Sequence, residues 1–392
     1  MTGSTLARYA LLATLYFAQG LPFGFFVQTL PVVLRESGYT LTQIGLASLL
    51  TLPWALKFVW APLVDRVWSP RLGRRRTWIL AMQAAAVVVL TVLAIVPSDE
   101  ITVLMIGMFV LNVIAATQDI ATDGMAVEIL PSDERGVANG IQVAGYRVGM
   151  IFGGGVLLGL YGDLGAHGTF AVMAGMTALA SVPVVMTRES AAPAKVESAG
   201  HVHFLRLPGA WRLIAIALTF KLGEAFAKGM LRPFLVDEGL DRRDVAWMVG
   251  TIGFVAGMAG ALAGGALVGK LGRRRALVVF GGAQIATVAG YAWLAFGDPT
   301  STELAAWCGV EHFASGMATA ALFTCMMDWS RPASGGTDYT VQASAVVIAT
   351  GLASTLSGIS ADAIGYAGHF TLACVLCVAA VVAAATLFPR AR

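Results

Sequence analysis

The chain has 392 residues, of which 57% are hydrophobic and only 12% charged; its net charge is +3 and its mean hydropathy +0.75. A soluble domain of this balance would lack the charged side chains to cover its surface, so the apolar excess has to face something other than water. This excludes a set of ordinary soluble domains, and the small net charge gives no footprint for a nucleic-acid partner.

Apolar windows of about twenty residues, long enough to cross a bilayer, recur along the chain. In order, they lie near 8–34, 42–64, 77–96, 101–127, 136–160, 169–187, 211–236, 244–268, 276–297, 304–327, 341–363 and 369–388. Hydrocarbon offers backbone groups no water to bond, so these runs are expected to be helices. The fold class expected is all-α: a polytopic membrane protein with twelve transmembrane helices. The one long polar interruption, 188–210, reads as a linker. It divides the chain into an N-terminal six-helix bundle at 1–190, a linker at 191–210 and a C-terminal six-helix bundle at 211–392. His201 and His203 fall in that linker and read as solvated residues. The first apolar run is long and lacks a small-residue cleavage pattern, so no cleavable signal peptide is expected. Cys308, Cys325, Cys374 and Cys377 all fall in apolar stretches and read as packing residues.

The basic residues set the expected orientation. With the N-terminus inside, the loops at 65–76, 188–210 and 269–275, the chain ends and the turns near 135 and 331 hold about eighteen of the twenty-six Lys and Arg. The other side holds Arg35, Arg232, Arg242 and Arg243. Both termini are therefore expected in the cytoplasm, which requires an even number of helices.

The two halves repeat. Leu15 to Gly20 (LYFAQG), then Pro31 and Gly38, is echoed by Leu218 to Gly223 (LTFKLG), then Pro233 and Gly239. Asp65-Arg66 followed by Gly73-Arg74-Arg75-Arg76 is echoed by Gly269-Lys270 followed by Gly272-Arg273-Arg274-Arg275, so the second copy lacks the acid. Duplicated six-helix halves suit transport by rocking around a central site. On the packing side, Gly145, Gly149 and Gly153 form a double GxxxG, and Gly253, Gly257, Gly260 and Gly264 line another span.

Lys57, Asp119, Asp123, Arg147, Lys221, Glu224, Lys228 and Glu311 fall inside expected spans. An isolated charge at a helix centre costs about 2.5–3.5 kcal/mol on insertion scales, so four cations against four anions imply pairing. Asp119 and Asp123 share a face one turn apart, with Lys57 and Arg147 as expected partners. Glu224, Asp119, Asp123 and Glu311 are candidates for proton coupling, because a carboxylate beside a lysine in an apolar cavity can titrate. Tyr16, Gln19, Phe23, Phe26, Gln28, Trp54, Lys221, Glu224, Phe226 and Glu311 are candidates to line a substrate cavity. The segment Gly20 to Gly24 is expected to break the first helix and free backbone groups there. No HExxH, Ser/Lys dyad or GxGD motif marks a membrane-embedded enzyme, and no catalytic residue, cofactor or metal site is expected.

The pattern Asp65-Arg66, Gly73-Arg74-Arg75 resembles the signature loop of the major facilitator superfamily, apart from the inserted segment Val67 to Leu72. The resemblance implies that the acid caps a neighbouring helix and the arginines latch one conformation; the competing reading is a topogenic cluster with no gating role. The runs LYFAQGLPFGFFVQTLPVVLRESG, LPWALKFVWAPLVDR, TQDIATDGMAVEILPSDERG, GYRVGM and FKLGEAF are similar to the peptide–acetyl-coenzyme A–drug transporter group of that superfamily. Two branches fit: siderophore permeases of the RhtX/FptX type and AmpG-type muropeptide permeases. AmpG-type chains carry additional C-terminal helices, whereas this one stops at Arg392, so the resemblance implies proton-driven import of a pyochelin- or rhizobactin-like iron–siderophore complex. Import of anhydro-muropeptides for wall recycling is the alternative. Either implies a monomer in the bacterial inner membrane, with a small-molecule substrate and the lipid bilayer as its partners.

Overall fold

The computed structural model describes residues 4–36, 38, 47–96, 101–187, 189 and 204–388. His201, His203 and most of the expected linker lie outside the described residues, as does the beginning of the second expected span.

Helix α1, Thr5–Arg35, starts at Ser4, whose hydroxyl accepts from the Ala7 amide at 3.3 Å. Pro22 sits inside it without ending it, and a widened π-helical turn follows at Phe25–Thr29. The break expected at Gly20 to Gly24 is therefore absent. The widened turn re-bonds the backbone around the proline, with the Leu30 amide reaching the Phe25 carbonyl. Helix α2, residues 47–66, is assembled from short pieces, Leu52–Leu56 and Ala61–Arg66, joined by the tight turn Lys57–Val59. Pro53 and Pro62 each remove a backbone donor, and each opens one of the α-helical pieces.

Helices α3, Arg74–Ile95, and α4, Ile101–Ile129, are regular. Helices α5 and α6 form one run, Arg135–Met186, bent at Gly165 with φ +62°. Helix α7 comprises Ala210–Phe220 and Leu222–Asp237, parted at Lys221. Helices α8, Arg243–Leu271, α9, Arg273–Leu294, and α10, Ser301–Asp328, follow. Helices α11 and α12 share the run Pro332–Leu387, parted at Gly365 with φ +70°. Only glycine adopts such backbone angles without strain. Seven runs are long and apolar enough to cross a membrane. Reading the two bent runs as helix pairs, and adding α2, α7 and α10, gives twelve spans among the described residues. No strand occurs among them, only an isolated bridge between Ser69 and Gly73.

The chain forms two compact units. The first holds Met1–Leu130, Gly145–His201 and Ser330–Thr340; the second holds Pro131–Ala144, Val202–Trp329 and Val341–Arg392. The first turns of α5 thus belong to the second unit, and the start of α11 to the first. The first unit has an apolar core around Leu21, Phe25, Phe26, Leu90, Leu111 and Phe170. The second is built around Phe226, Phe234, Tyr291, Phe370 and Cys377.

Glycine lets helix backbones touch. In the first unit, a Cβ on Gly149 would run into the Phe17 and Leu21 backbone of α1, and one on Gly153 into Leu21 and Phe25. Gly155, two residues on, has open space around it. We expect Gly153→Leu to cost about 3 kcal/mol or more through overpacking against backbone that cannot yield. Gly155→Leu should change stability by less than about 0.5 kcal/mol. Thermal unfolding of the two variants in detergent measures the difference.

Candidate functional site

Three charged groups of the first unit lie inside its spans on α2 and α4. Lys57 opens the tight turn of α2, so a bend presents it to the bundle, and its ammonium pairs with Asp119. The Trp54 ring lies 5.4 Å from the same ammonium. Asp123, one turn further along α4 and 2% exposed, accepts a hydrogen bond from the Tyr16 hydroxyl at 2.7 Å. Lys57 thus engages Asp119, and Tyr16 engages Asp123. Arg147, expected as their second cation, lies half-buried on α5.

Neutral polar residues extend this group. Gln19 donates to the Thr122 hydroxyl at 3.1 Å, Trp60 to Thr117 at 3.1 Å and Trp54 to the Asn112 side chain at 3.0 Å. One amide atom each of Gln19 and Gln118 has no hydrogen-bond partner among the described residues. Phe23 packs between Trp54 and Tyr146, with ring centroids at 5.6 and 5.8 Å. Pro22, Phe23, Trp54, Leu111 and Asn112 line a narrow cleft there. Gln28 is half-buried and its side chain reaches the Met150 carbonyl at 3.5 Å. Tyr16 and Phe26 are buried, Phe26 within the apolar core.

The second unit has its own group on α7, α9 and α10. Lys221 stands at the break in α7, and its ammonium turns to Glu224. Glu224 also receives Lys228 at 2.7 Å, the Ser315 hydroxyl at 2.5 Å and the Gln284 amide. Lys228 touches Ser315 Oγ at 3.0 Å and Glu311 at 3.4 Å. His312 Nδ1 lies 3.0 Å from Glu311 and 2.8 Å from the Cys308 carbonyl. Here two lysines face two carboxylates. Phe226 belongs to the core, its ring 4.5 Å from that of His369, so it stacks on protein rather than on an open cavity.

A third group forms at the Arg-rich end of the first unit. Asp65 is fully buried and meets Arg75 Nη1 at 2.6 Å. Its other oxygen accepts from the Thr337 amide at 2.8 Å and hydroxyl at 2.5 Å, capping the start of α11. Glu128 accepts from Arg75 at 2.7 Å and Arg74 at 3.1 Å, and Arg74 donates to the Ala333 carbonyl at 2.7 Å. Gly124 and Gly336 leave the room in which the Arg75 guanidinium lies. Glu189 caps α3 by accepting from the Arg75 and Arg76 amides at 3.0 Å. Gly73 supplies the turn into α3 with φ +96°, and Arg66 is exposed. Burial alone would raise the Asp65 carboxyl; Arg75, the Thr337 hydroxyl and Arg74 outweigh it and hold the group below the usual carboxylate range.

The second unit has a related cluster despite Gly269. Asp328 pairs with Arg273 at 2.5 Å and with Arg135 at 2.9 Å, and Arg273 also donates to the Ser132 carbonyl at 2.6 Å. An acid at the end of α10 thus occupies a role like that of Glu128 at the end of α4. Sequence reasoning did not single out Glu128, Glu189, Gln284, Ser315, Asp328 or Thr337. For Glu128 and Asp328 the repeat itself was the available signal.

The sequence matches the Major Facilitator Superfamily over residues 12–310. The chain is a member of that superfamily. The anhydromuropeptide permease of Escherichia coli (strain K12) is 34% identical to it over 335 residues, 82% of this chain and 67% of the permease. A putative transporter AmpG 4 of Rickettsia felis is 26% identical over 379 residues, 92% of each chain. In fold it is similar to the E. coli fucose:proton symporter FucP, with TM-score 0.74 at 14% identity, covering 99% of this chain and all of that one. The protein is accordingly a polytopic membrane transporter with a small-molecule substrate.

The Asp65 group makes this member testable without a substrate. Asp65→Asn leaves the buried Arg75 short of a counter-charge, which should cost about 3–5 kcal/mol in thermal unfolding; Arg71→Ala, at an exposed position, should cost less than about 0.5 kcal/mol. Because the folded protein holds the Asp65 carboxyl low, its stabilisation is complete above the ordinary carboxylate value. It is lost as pH falls through the lowered one. The variant should therefore have a flatter acid limb in its stability profile.

Proposed function

We propose that this protein is a secondary permease that imports an anhydromuropeptide across the bacterial inner membrane by alternating access, driven by protons. The observation that carries the substrate is the 34% identity to the E. coli anhydromuropeptide permease over 82% of this chain. The Rickettsia relative points the same way by its name. Neither of these relatives is named for iron or a siderophore, so support moves from the siderophore reading to its alternative.

Proton coupling is placed on Asp123. Glu224 is already met by two lysines, a hydroxyl and an amide, and Glu311 faces Lys228 at 3.4 Å. Asp123 has the neutral Tyr16 hydroxyl as its hydrogen-bond donor and lies one helical turn from Asp119, which Lys57 engages. A buried carboxylate beside a like charge is suited to taking up and releasing a proton, which is the basis for choosing Asp123. Phe23, Trp54 and Gln28 are the half-buried residues best placed to meet the solute in the first unit. Asp65, Arg66, Gly73, Arg74 and Arg75 form the gate, with Asp65 and Arg74 holding the start of α11. Two bundles at 1–190 and 211–392, joined by a cytoplasmic linker, remain the proposed arrangement, with both termini in the cytoplasm.

Expression of the chain in a bacterial strain without its own muropeptide permease should restore uptake of labelled anhydromuropeptide. It should leave uptake of labelled ferric siderophore unchanged. Siderophore uptake without muropeptide uptake would overturn the substrate assignment.

A further inference from the structure

Helix α9 has 22 residues. At 1.5 Å per residue it is about 33 Å long, close to the thickness of bilayer hydrocarbon. Arg273, Arg274 and Arg275 form its first turn, so its last turn stands at the opposite interface. There Trp293 and Phe296 are 66% and 75% exposed. Aromatic side chains at the end of a span settle at the level of the lipid headgroups.

The turn from α9 into α10 forms a groove of about 250 Å³. Trp293, Phe296 and Pro299 give it an apolar lining, and Asp298 and Glu303 add two carboxylates. No Lys or Arg is among the described residues that line it. Glu303 is fixed in place by the capping box of α10, where one of its oxygens accepts from the Thr300 amide and hydroxyl at 2.8 Å each. Asp298 is exposed. Its charge also reaches Glu238, just beyond the end of α7: partial burial, then Asp298 and Asp237, push the Glu238 carboxyl above its ordinary value. The groove is therefore acidic, walled by exposed rings and placed at a membrane interface.

We propose that this groove docks a phospholipid whose headgroup ends in a primary ammonium. The ammonium brings one positive charge and three donors to the carboxylates of Asp298 and Glu303. The indole and phenyl rings beside them attract the same cation and offer apolar surface to the acyl chains. A headgroup with a phosphate and no ammonium is repelled by the same pair of acids. A bare divalent cation would meet the carboxylates but leave the exposed rings without a partner, so the rings favour a lipid. The docking is independent of which solute the protein carries.

The test uses the full-length protein in detergent with equimolar phosphatidylethanolamine and phosphatidylglycerol of the same acyl chains, and counts each bound lipid by native mass spectrometry. The wild type should carry phosphatidylethanolamine with roughly tenfold preference. Asp298→Asn combined with Glu303→Gln should bring the ratio toward one, since glutamine keeps the cap of α10. Asp298→Lys should turn it toward phosphatidylglycerol. Asp163→Asn, which removes an exposed carboxylate of the first unit, should leave it unchanged. The ratio is read within one sample, so a lower yield of a variant does not mimic the effect. A wild-type ratio near one, an unchanged ratio in the double variant, or an equal fall with Asp163→Asn overturns the proposal. Thermal stabilisation by magnesium that depends on Asp298 and Glu303, without any lipid preference, makes the groove a cation site and overturns it as well.

Discussion

A charge inside a bilayer has to meet its counter-charge within its own bundle, because neither water nor lipid will supply one. This constraint organises both units of the protein. In the first, Lys57 goes to Asp119 while Asp123 is held by Tyr16. In the second, Lys221 and Lys228 enclose Glu224, and Lys228 also reaches Glu311. These charges are thus met by side chains of their own unit.

The same constraint needs close backbones. Close-packed spans require short interhelical distances, and glycines supply them at Gly149 and Gly153 against α1 and at Gly260 and Gly264 against α10. At the Arg-rich end, Gly124 and Gly336 make the space into which Arg75 is buried. A buried guanidinium is tolerable there because Asp65 and Glu128 both reach it. Asp65 then has an oxygen left for the amide and hydroxyl of Thr337, which ties the start of α11 into the first unit. One carboxylate so serves two tasks, charge compensation and helix capping.

Most of the fold was legible in the sequence, since runs of about twenty apolar residues have few readings other than membrane helices. The in-span charges were legible for the complementary reason: they are costly and stand out against an apolar background. Their partners were harder to read. The Tyr16–Asp123 and Gln284–Glu224 contacts join residues far apart in the chain, and a lone Tyr or Gln in an apolar run carries no local signal. Phe26 and Phe226 show the converse, aromatic residues near polar motifs that pack into cores. The expected break at Gly20 to Gly24 failed because a π-helical turn absorbs Pro22, whereas the actual break at Lys221 has Gly223 two residues on and no proline beside it. The missing acid at Gly269 suggested a half without a latch, yet Asp328 collects Arg135 and Arg273 from elsewhere in the sequence.

The proposed coupling role of Asp123 is probed most directly by separating solute exchange from solute accumulation in proteoliposomes. With Asp123→Asn, counterflow of labelled anhydromuropeptide should continue at near wild-type rate, because the neutral side chain mimics the protonated acid. Accumulation driven by an imposed proton gradient should fall to the equilibrium level. If the variant accumulates the solute against its gradient as the wild type does, Asp123 does not carry the coupling proton.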